Sequence, residues 1–118
     1  MRALPIDERG EMDIKEVERK IRKDFDDYHI PITGLICVQS PTELGTVVSL
    51  DYLKRLRELS VKYNIPIHLD GARIFNAAAY LGVEVSEIAQ YADSIMFCYS
   101  KGLCCPIGSM LIGSKDFI

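Results

Sequence analysis

Asp70 and Lys101 are the two residues whose types and positions are best suited to chemistry. Asp70 ends an apolar segment and is followed by Gly71, a residue that allows other groups to approach the backbone closely. A carboxylate in that position suits an acid that pairs with a cation. Lys101 lies between Ser100 and Gly102 in an apolar stretch, and apolar neighbours favour the uncharged, nucleophilic form of an amine. The sequence therefore predicts one acid and one amine nucleophile.

The same residues also have simpler structural interpretations. An aspartate after a strand is often the N-cap of the next helix, and a lysine there is often a solvated loop residue. His68, one strand period before Asp70, is interpreted as a packed, hydrogen-bonded histidine rather than a catalyst. Arg73 opposes the dipole of a predicted helix, which favours anion binding, although an ion pair with Glu84 or Asp93 is the simpler explanation.

The four cysteines indicate neither a disulfide framework nor a metal site. Cys104 and Cys105 are adjacent and lack the C-x-x-C spacing of redox motifs, so we interpret them as small packing residues near the site. Cys37 and Cys98 lie in apolar segments, where a free cysteine behaves as a small hydrophobe. The two histidines have no ligands at zinc-type spacing, so no structural metal is predicted.

Apolar periodicity and turn residues predict the elements that must position these groups. Asp13 and Glu16 form a capping pair for the first helix, and Ser49 caps the second. The first strand is continuously apolar, which is typical of a strand covered on both faces. Helices are predicted over residues 13–24, 50–63, 71–82 and 86–91. Strands are predicted over residues 33–38, 65–70, 94–99 and 106–112, and another helix is expected to begin at residues 114–116.

This alternation of helices and strands predicts an α/β fold, with a mainly parallel sheet and helices on both faces. The last two strands are joined only by residues 100–105, which is too short for a helical crossover, so that pair is expected to be antiparallel. Because the chain begins just before one helix and ends inside another, residues 1–118 are expected to form a single partial domain, truncated at both ends.

Composition narrows the classes of function. The 118 residues are 48% hydrophobic and 26% charged, which is typical of one small globular domain. A formal charge of -3 supplies no strong positive field, so neither nucleic acid nor an anionic membrane is expected as a partner. No apolar segment approaches the roughly 18 to 20 residues that span a bilayer, and the N-terminus lacks a signal-peptide core. We predict a soluble, cytoplasmic protein.

An aspartate and a lysine at neighbouring strand ends form one arrangement by which pyridoxal phosphate (PLP) is used. The lysine forms a Schiff base with this cofactor, and the acid protonates the pyridine nitrogen so that the ring can absorb electrons. Both residues are predicted beyond the carboxyl ends of strands, where open α/β sheets carry their functional groups.

A longer, ordered pattern surrounds these two residues. Residues 68–78 read HLDGARIFNAA, residues 91–94 read YADS, residues 100–103 read SKGL, and residues 106–109 read PIGS. This pattern resembles the L-threonine aldolase and β-eliminating lyase family of fold-type-I PLP enzymes. The resemblance is strongest from about residue 50 to residue 118.

The resemblance implies the central part of an aspartate aminotransferase-like large domain. It implies that Lys101 forms the Schiff base with PLP, that Asp70 binds the pyridine nitrogen, and that Ser100 also contacts the cofactor. Arg73 would hold the substrate carboxylate or the cofactor's ring oxygen. The family cleaves 3-hydroxy amino acids, such as threonine or allo-threonine, to glycine and an aldehyde while a base takes the 3-hydroxyl proton. A dimer or tetramer is also implied, because the family's site forms across a subunit interface.

The sequence departs from the family pattern at several points. Glu43 stands where the family usually has a histidine that assists acid–base chemistry at the 3-hydroxyl, and we assign Glu43 to substrate binding. Cys104 and Cys105 replace smaller residues beside the Schiff base. The family's phosphate-binding loop, ring-stacking residue and C-terminal arginine have no counterpart in the sequence.

Two alternatives remain open at this point. The chain could be a catalytically inactive, truncated fragment of the family that does not bind PLP. A more distant alternative is a phospho-receiver-like signalling domain, in which Asp70 accepts phosphate and Lys101 contacts it. Such a domain needs an acidic pair for Mg²⁺ after an early strand, where this chain has Gln39 and Ser40.

Overall fold

A four-stranded sheet organises the chain in the computed structural model, which describes residues 2–23 and 29–118. The strands are β1 (Ile36–Gln39), β2 (Ile67–Asp70), β3 (Ser94–Cys98) and β4 (Ser109–Gly113), and they lie in that order across the sheet. The helices are α1 (Ile14–Lys20), α2 (Leu50–Tyr63), α3 (Ile74–Leu81) and α4 (Val85–Ala89). The predicted alternation of helices and strands is confirmed.

The pairing of the strands also follows the prediction. β1 pairs with β2 and β2 with β3 in parallel, whereas β3 and β4 are antiparallel. The register places Gln39, Asp70 and Met96 side by side on three neighbouring strands. The carboxyl ends of these three parallel strands therefore meet at one edge of the sheet, which is where the candidate chemistry lies.

The hydrophobic core lies on one face of the sheet. Its strand residues are Ile36, Val38, Ile67, Leu69 and Ile95, and its helix residues include Leu56, Ile74 and Ile88. The sequence predicts helices on both faces of the sheet. In the structure, the buried residues of the helices belong to this single core. On the other face, Cys37 and Gln39 of β1 are exposed, so the prediction that the first strand is covered on both faces is wrong. An apolar run cannot show which of its two faces the rest of the chain covers.

The caps of the first two helices match the prediction only in part. Ser49 caps α2, and Asn64 ends it in the left-handed conformation with φ 50°. Asp13 caps α1 by accepting a hydrogen bond from a backbone N–H of the first turn. Glu16, the predicted second member of that cap, instead forms an ion pair with Arg19 at 2.6 Å.

α1 ends earlier than predicted, and β1 begins later. The backbone N–H of Arg22 donates to the hydroxyl of Thr33 at 3.0 Å, and the N–H of Thr33 donates to the carbonyl of Arg22 at 2.9 Å. These bonds connect the chain after α1 to the chain before β1, so Arg22 and Thr33 belong to neither element. The predicted end of the first helix, at residue 24, lies outside the described residues.

The remaining boundaries differ by a few residues. α3 begins at Ile74 rather than at residue 71, because residues 72 and 73 form a turn. Residues 114–118 form a turn in which the N–H of Phe117 donates to the carbonyl of Ser114. The helix expected there is therefore absent from the described chain. In the part of the chain that the structure describes, no helix combines the length and the apolar character required to cross a membrane.

Candidate active site

Asp70 lies at the carboxyl end of β2 and is half-buried. Its Oδ1 accepts a hydrogen bond from the backbone N–H of Ala72 at 3.1 Å. Asp70 is not the N-cap of α3, since Arg73 occupies that position, and the simpler interpretation as a cap is wrong. Oδ2 has no hydrogen-bond partner among the described residues, so this oxygen can accept a proton or pair with a cation.

Backbone hydrogen bonds fix Asp70 between the two neighbouring strands. The N–H of Ser40 donates to the carbonyl of Asp70 at 3.0 Å, and the N–H of Gly71 donates to the carbonyl of Met96 at 2.8 Å. A Cβ atom on Gly71 would lie 3.0 Å from the Cβ of Ile74 and 3.2 Å from the carbonyl of Met96. The close approach predicted for Gly71 is confirmed, and it holds the turn after Asp70 against β3.

His68 lies on the same face of the sheet as Asp70, one strand period before it. Its Nδ1 is 2.7 Å from the hydroxyl of Ser94, which is buried on β3. This hydrogen bond confirms the interpretation of His68 as a packed, hydrogen-bonded residue. Ser94 was not singled out by the sequence, because its proximity to His68 depends on the register of β2 and β3.

Lys101 lies in the loop of residues 99–108 that joins β3 to β4. The N–H groups of Tyr99 and Ser100 donate to the carbonyl of Gly108 at 2.9 and 3.3 Å, which closes the base of this loop. The hydroxyl of Ser100 is 3.5 Å from the same carbonyl. Within the loop, the N–H of Cys104 donates to the carbonyl of Lys101 at 3.0 Å. These bonds define the backbone that carries the lysine.

The side chain of Lys101 is exposed, and within the described residues it forms no hydrogen bond or ion pair. Leu103 is 36% exposed, and the neighbouring cysteines are exposed as well. The apolar enclosure that the sequence predicts around this amine is therefore wrong for the described chain. The amine is accessible to a ligand that approaches the carboxyl edge of the sheet.

The lysine loop packs against the beginning of α3. A Cβ atom on Gly102 would overlap Oδ1 of Asn76, so glycine is required if Asn76 keeps its position. The ring of Phe97 makes edge contacts with Phe75 of α3 at 5.5 Å and with Tyr99 at 5.2 Å between centroids. Sequence reasoning missed Asn76, because no local pattern shows that the loop reaches α3.

Arg73 is exposed at the N-cap of α3 and makes no side-chain capping bond. The ion pairs suggested for it are wrong in the described chain. Asp93 instead pairs with Arg57, at 2.6 Å, and Glu84 caps α4 through a reciprocal bond with Glu87. The guanidinium of Arg73 therefore remains available to an anion at the same end of the sheet as Asp70.

Glu43 is exposed in a tight loop after β1. The N–H of Thr42 donates to the carbonyl of Thr46 at 2.8 Å, and the N–H of Gly45 donates to the carbonyl of Thr42 at 3.0 Å. The hydroxyls of Thr42 and Thr46 are 2.7 Å apart. Because this loop follows the carboxyl end of β1, it lies at the same edge of the sheet as Asp70.

Three of the four cysteines do not have the packing role that the sequence suggests, whereas Cys98 on β3 is half-buried. Cys104 and Cys105 are exposed in the lysine loop, and Cys37 is exposed on β1. Within residues 2–23 and 29–118, no cluster of three or more His, Cys, Asp and Glu side chains is suited to a metal ion.

A cavity of about 460 Å³ lies away from these residues, between the N-terminal segment and the chain that leads into β1. Its lining includes Leu4, Val17 and Ile36, whereas Asp70, Arg73 and Lys101 do not contribute to it. This cavity is therefore separate from the candidate site, where Arg73 and Lys101 are exposed and Asp70 is half-buried.

The chain is similar to known proteins in both sequence and fold. The family model for β-eliminating lyases matches residues 1–118. A probable low-specificity L-threonine aldolase 2 of Arabidopsis thaliana is 41% identical over 119 residues, which is 99% of this chain and 34% of that protein. The low specificity L-threonine aldolase of Escherichia coli K12 is 42% identical over 109 residues, which is 92% of this chain and 32% of that protein.

A solved structure shows the same fold. The structure of a putative L-allo-threonine aldolase from Listeria monocytogenes matches with a TM-score of 0.74 at 23% identity. The match covers 90% of this chain and 28% of the Listeria chain. The chain thus spans about a third of the length of the relatives it matches.

Proposed function

Because the chain belongs to the β-eliminating lyase family, we propose that it supplies the lysine and the aspartate of a PLP-dependent lyase. The reaction proposed is cleavage of a 3-hydroxy amino acid, threonine or allo-threonine, to glycine and an aldehyde. Since the chain spans about a third of its relatives, this activity is proposed for a complete catalytic domain that contains the segment.

The observation that carries the proposal is the hydrogen bonding of the Asp70 carboxylate. One carboxylate oxygen is held by the N–H of Ala72, whereas the other has no partner among the described residues. A fixed carboxylate with one available oxygen suits the protonated pyridine nitrogen of PLP. Lys101 adds an accessible amine, on a loop that begins one residue after β3, the strand beside β2. The residues present thus fit the aldehyde end and the ring nitrogen of this cofactor.

When bound, PLP supplies an electron-accepting ring for the pair released as the Cα–Cβ bond breaks. The protein's own residues would orient the groups around that bond and determine their protonation. Lys101 would hold the cofactor covalently through its amine, and Asp70 would keep the ring nitrogen protonated by pairing with its positive charge. Ser100, with its hydroxyl already near Gly108, would contact the cofactor from the base of the loop.

Arg73 and Glu43 are proposed to bind the substrate. The exposed guanidinium of Arg73 at the N-cap of α3 suits a carboxylate, because guanidinium and carboxylate can form paired hydrogen bonds. Glu43, exposed in the loop after β1, would accept a proton or a hydrogen bond from the 3-hydroxyl group. A homo-oligomer, dimer or tetramer, is proposed as the state of the complete enzyme.

Threonine cleavage tests the proposal. A complete catalytic domain that contains this segment is supplied with PLP and L-threonine, and glycine is measured for the wild type, Lys101→Ala and the exposed control Lys115→Ala. We expect the wild type and Lys115→Ala to form glycine, and Lys101→Ala to lose at least about 100-fold in rate, because the nucleophilic amine is removed. Equal rates for all three proteins would contradict the proposal.

A second candidate is a family segment that does not bind PLP by itself. It is favoured by the open position of Lys101 and by the lack, in the described chain, of contacts that enclose its amine. No PLP bound to the isolated chain at equilibrium dialysis would establish this alternative. The phospho-receiver alternative is overturned by the family match, and Gln39 occupies the position beside Asp70 that an acidic residue would need.

A further inference from the structure

Cys104 and Cys105 form an exposed pair of adjacent thiols in the lysine loop. We propose that these two residues constitute a dithiol site that chelates trivalent arsenic compounds. The site is separate from the proposed lyase chemistry, because it uses the sulfur atoms of the loop and requires neither Lys101 nor Asp70.

The backbone around the two thiols is fixed by hydrogen bonds. The N–H of Cys104 donates to the carbonyl of Lys101 at 3.0 Å, and the N–H of Cys105 donates to the carbonyl of Tyr99 at 3.0 Å. Cys104 has a φ of 57°, which is uncommon for a residue other than glycine. These two bonds fix the backbone of both cysteines in the loop, outside any strand. In an extended strand, adjacent side chains would point to opposite faces.

Both sulfur atoms are available to a ligand. Sγ of Cys104 is 4.0 Å from the carbonyl of Gly102, and Sγ of Cys105 is 3.7 Å from the carbonyl of Leu103. Such contacts from thiols are weak, and both residues are exposed. Little stabilisation is lost when the sulfur atoms turn toward a common ligand.

Adjacent cysteines are better suited to a bridging atom than to a direct disulfide. Consecutive Cα atoms are about 3.8 Å apart across a trans peptide bond, whereas disulfides usually need about 4.4 to 6.8 Å. The pair therefore tends to stay reduced. An arsenic atom placed between the two sulfurs lengthens the bridge and removes the requirement for a direct S–S bond.

The reaction balances without an oxidant. An organic arsenic(III) oxide, R–As=O, reacts with the two thiols to form two As–S bonds. Its oxygen leaves as water together with the two thiol protons, and arsenic remains trivalent. Cys37 on β1 and Cys98 on β3 lie on separate strands outside the loop, so each can offer only one thiol to the reagent in this manner.

The probe for the test is phenylarsine oxide, added in equimolar amount to the full chain in the presence of excess 2-mercaptoethanol. Intact mass spectrometry counts the adducts, and peptide mapping locates them. We expect one adduct on the peptide that contains Cys104 and Cys105. It should resist the monothiol and be released by the dithiol 2,3-dimercaptopropanol.

Matched variants decide whether both adjacent sulfurs are needed. Cys104→Ser and Cys105→Ser should each lose the monothiol-resistant adduct, whereas Cys37→Ser and Cys98→Ser should keep it. Circular dichroism of each variant shows whether the fold is retained, and the exposed position of both residues makes the Ser substitutions mild. Retention of the resistant adduct in Cys104→Ser or Cys105→Ser, its loss in Cys98→Ser, or its absence in the wild type would overturn the proposal.

Discussion

Asp70 combines a fixed orientation with an available oxygen atom. The turn after β2 uses Oδ1, through the N–H of Ala72, and the neighbouring strands fix the backbone on both sides. The result is a carboxylate whose second oxygen lies at the edge of the sheet without a partner in the described chain. A carboxylate held in this manner can bind a cationic ring nitrogen without first losing a competing ion pair.

Gly102 offers a test of how the lysine loop is positioned. In Gly102→Ala, the new Cβ atom would meet Oδ1 of Asn76, so either that side chain or the loop must move. We expect Gly102→Ala to reduce the amount of PLP captured at Lys101 by at least about threefold. Capture is measured by borohydride reduction and peptide mass spectrometry.

The double variant Gly102→Ala with Asn76→Ala should recover capture, because it removes the atom that the new methyl group meets. Asn76→Ala alone is the control and should leave capture unchanged. If the double variant were as impaired as Gly102→Ala, a contact other than the one with Asn76 would be responsible.

At the residue level, the positions of two candidate site residues were predictable from the sequence. Asp70 and Lys101 follow apolar segments, and the rule that function lies beyond the carboxyl ends of parallel strands identifies both of them. The contact of Asn76 with Gly102 could not be predicted, because it depends on how a loop folds over a helix from a different part of the chain. The exposure of Lys101 was also missed, since apolar neighbours in the sequence do not ensure apolar neighbours in space.

At the scale of elements, local signals predicted α2 well and α1 poorly. Ser49 and Asn64 are recognisable as the cap and the end of α2, and its apolar residues repeat at helical spacing. The end of α1 and the start of β1 depend on the hydrogen bonds between Arg22 and Thr33. A local sequence pattern does not indicate a hydrogen bond between residues that are so far apart in the chain.

The cap of α2 gives a prediction about stability. The hydroxyl of Ser49 accepts a hydrogen bond from the N–H of Tyr52 at 3.1 Å and donates to Oε1 of Glu11 at 2.8 Å. Ser49→Ala removes both bonds, and we expect it to lower the free energy of unfolding by about 1 kcal/mol or slightly more. The exposed Ser86→Ala is the control and should change it by less than about 0.5 kcal/mol. Urea denaturation measures both, and equal effects would mean that the cap contributes nothing specific.

The ion pair of Arg57 with Asp93 joins α2 to the sheet. Oδ2 of Asp93 accepts hydrogen bonds from Arg57 at 2.6 Å and from the N–H of Ile67 at 2.8 Å. Asp93→Ala leaves that N–H without its partner, so we expect a loss of about 1 to 3 kcal/mol in the free energy of unfolding. Asp51→Ala removes an exposed ion pair of α2 and should cost less than about 0.5 kcal/mol. A similar, small cost for both variants in urea denaturation would contradict this role for Asp93.

The same pair predicts a dependence of stability on pH. Burial raises the pKa of Asp93, but the hydrogen bonds from Arg57 and Ile67 outweigh it and hold this pKa below its ordinary value of 3.8. Its contribution to stability is therefore complete above that value and is lost as the pH falls through the lower pKa of the folded state. The difference in unfolding free energy between the wild type and Asp93→Asn should be constant from about pH 7 to pH 5 and shrink in more acidic buffer. A constant difference down to the acid-unfolding limit would contradict the assignment.

At the scale of the whole molecule, the sheet is only partly covered. Every residue of β4 is exposed, with Leu111 at 53% and Ile112 at 45% exposure, and the second face of β1 is exposed as well. Apolar strands of this kind at the edge of a sheet are templates for association. The sequence predicts the strands and their pairing, but it could not show which surfaces the described chain leaves open.

Self-association of the isolated chain should therefore depend on β4. We expect sedimentation velocity to show a concentration-dependent increase in mass for the wild type and a smaller increase for Leu111→Lys, because a charge on an exposed strand opposes edge pairing. Val61→Lys is the control, since Val61 is 68% exposed on α2, away from the sheet edge. If the two lysine variants associated equally, β4 would not be the surface responsible.

Covalent capture of PLP is the measurement that most directly decides whether the site assembles. The purified chain is mixed with PLP and reduced with borohydride, and the modified lysines are mapped by peptide mass spectrometry. We predict a single stoichiometric adduct at Lys101 that is lost in Asp70→Ala. Labelling spread over exposed lysines such as Lys20, Lys54, Lys62 and Lys115, with no preference for Lys101, would contradict the assignment of Lys101 and Asp70 to one PLP site.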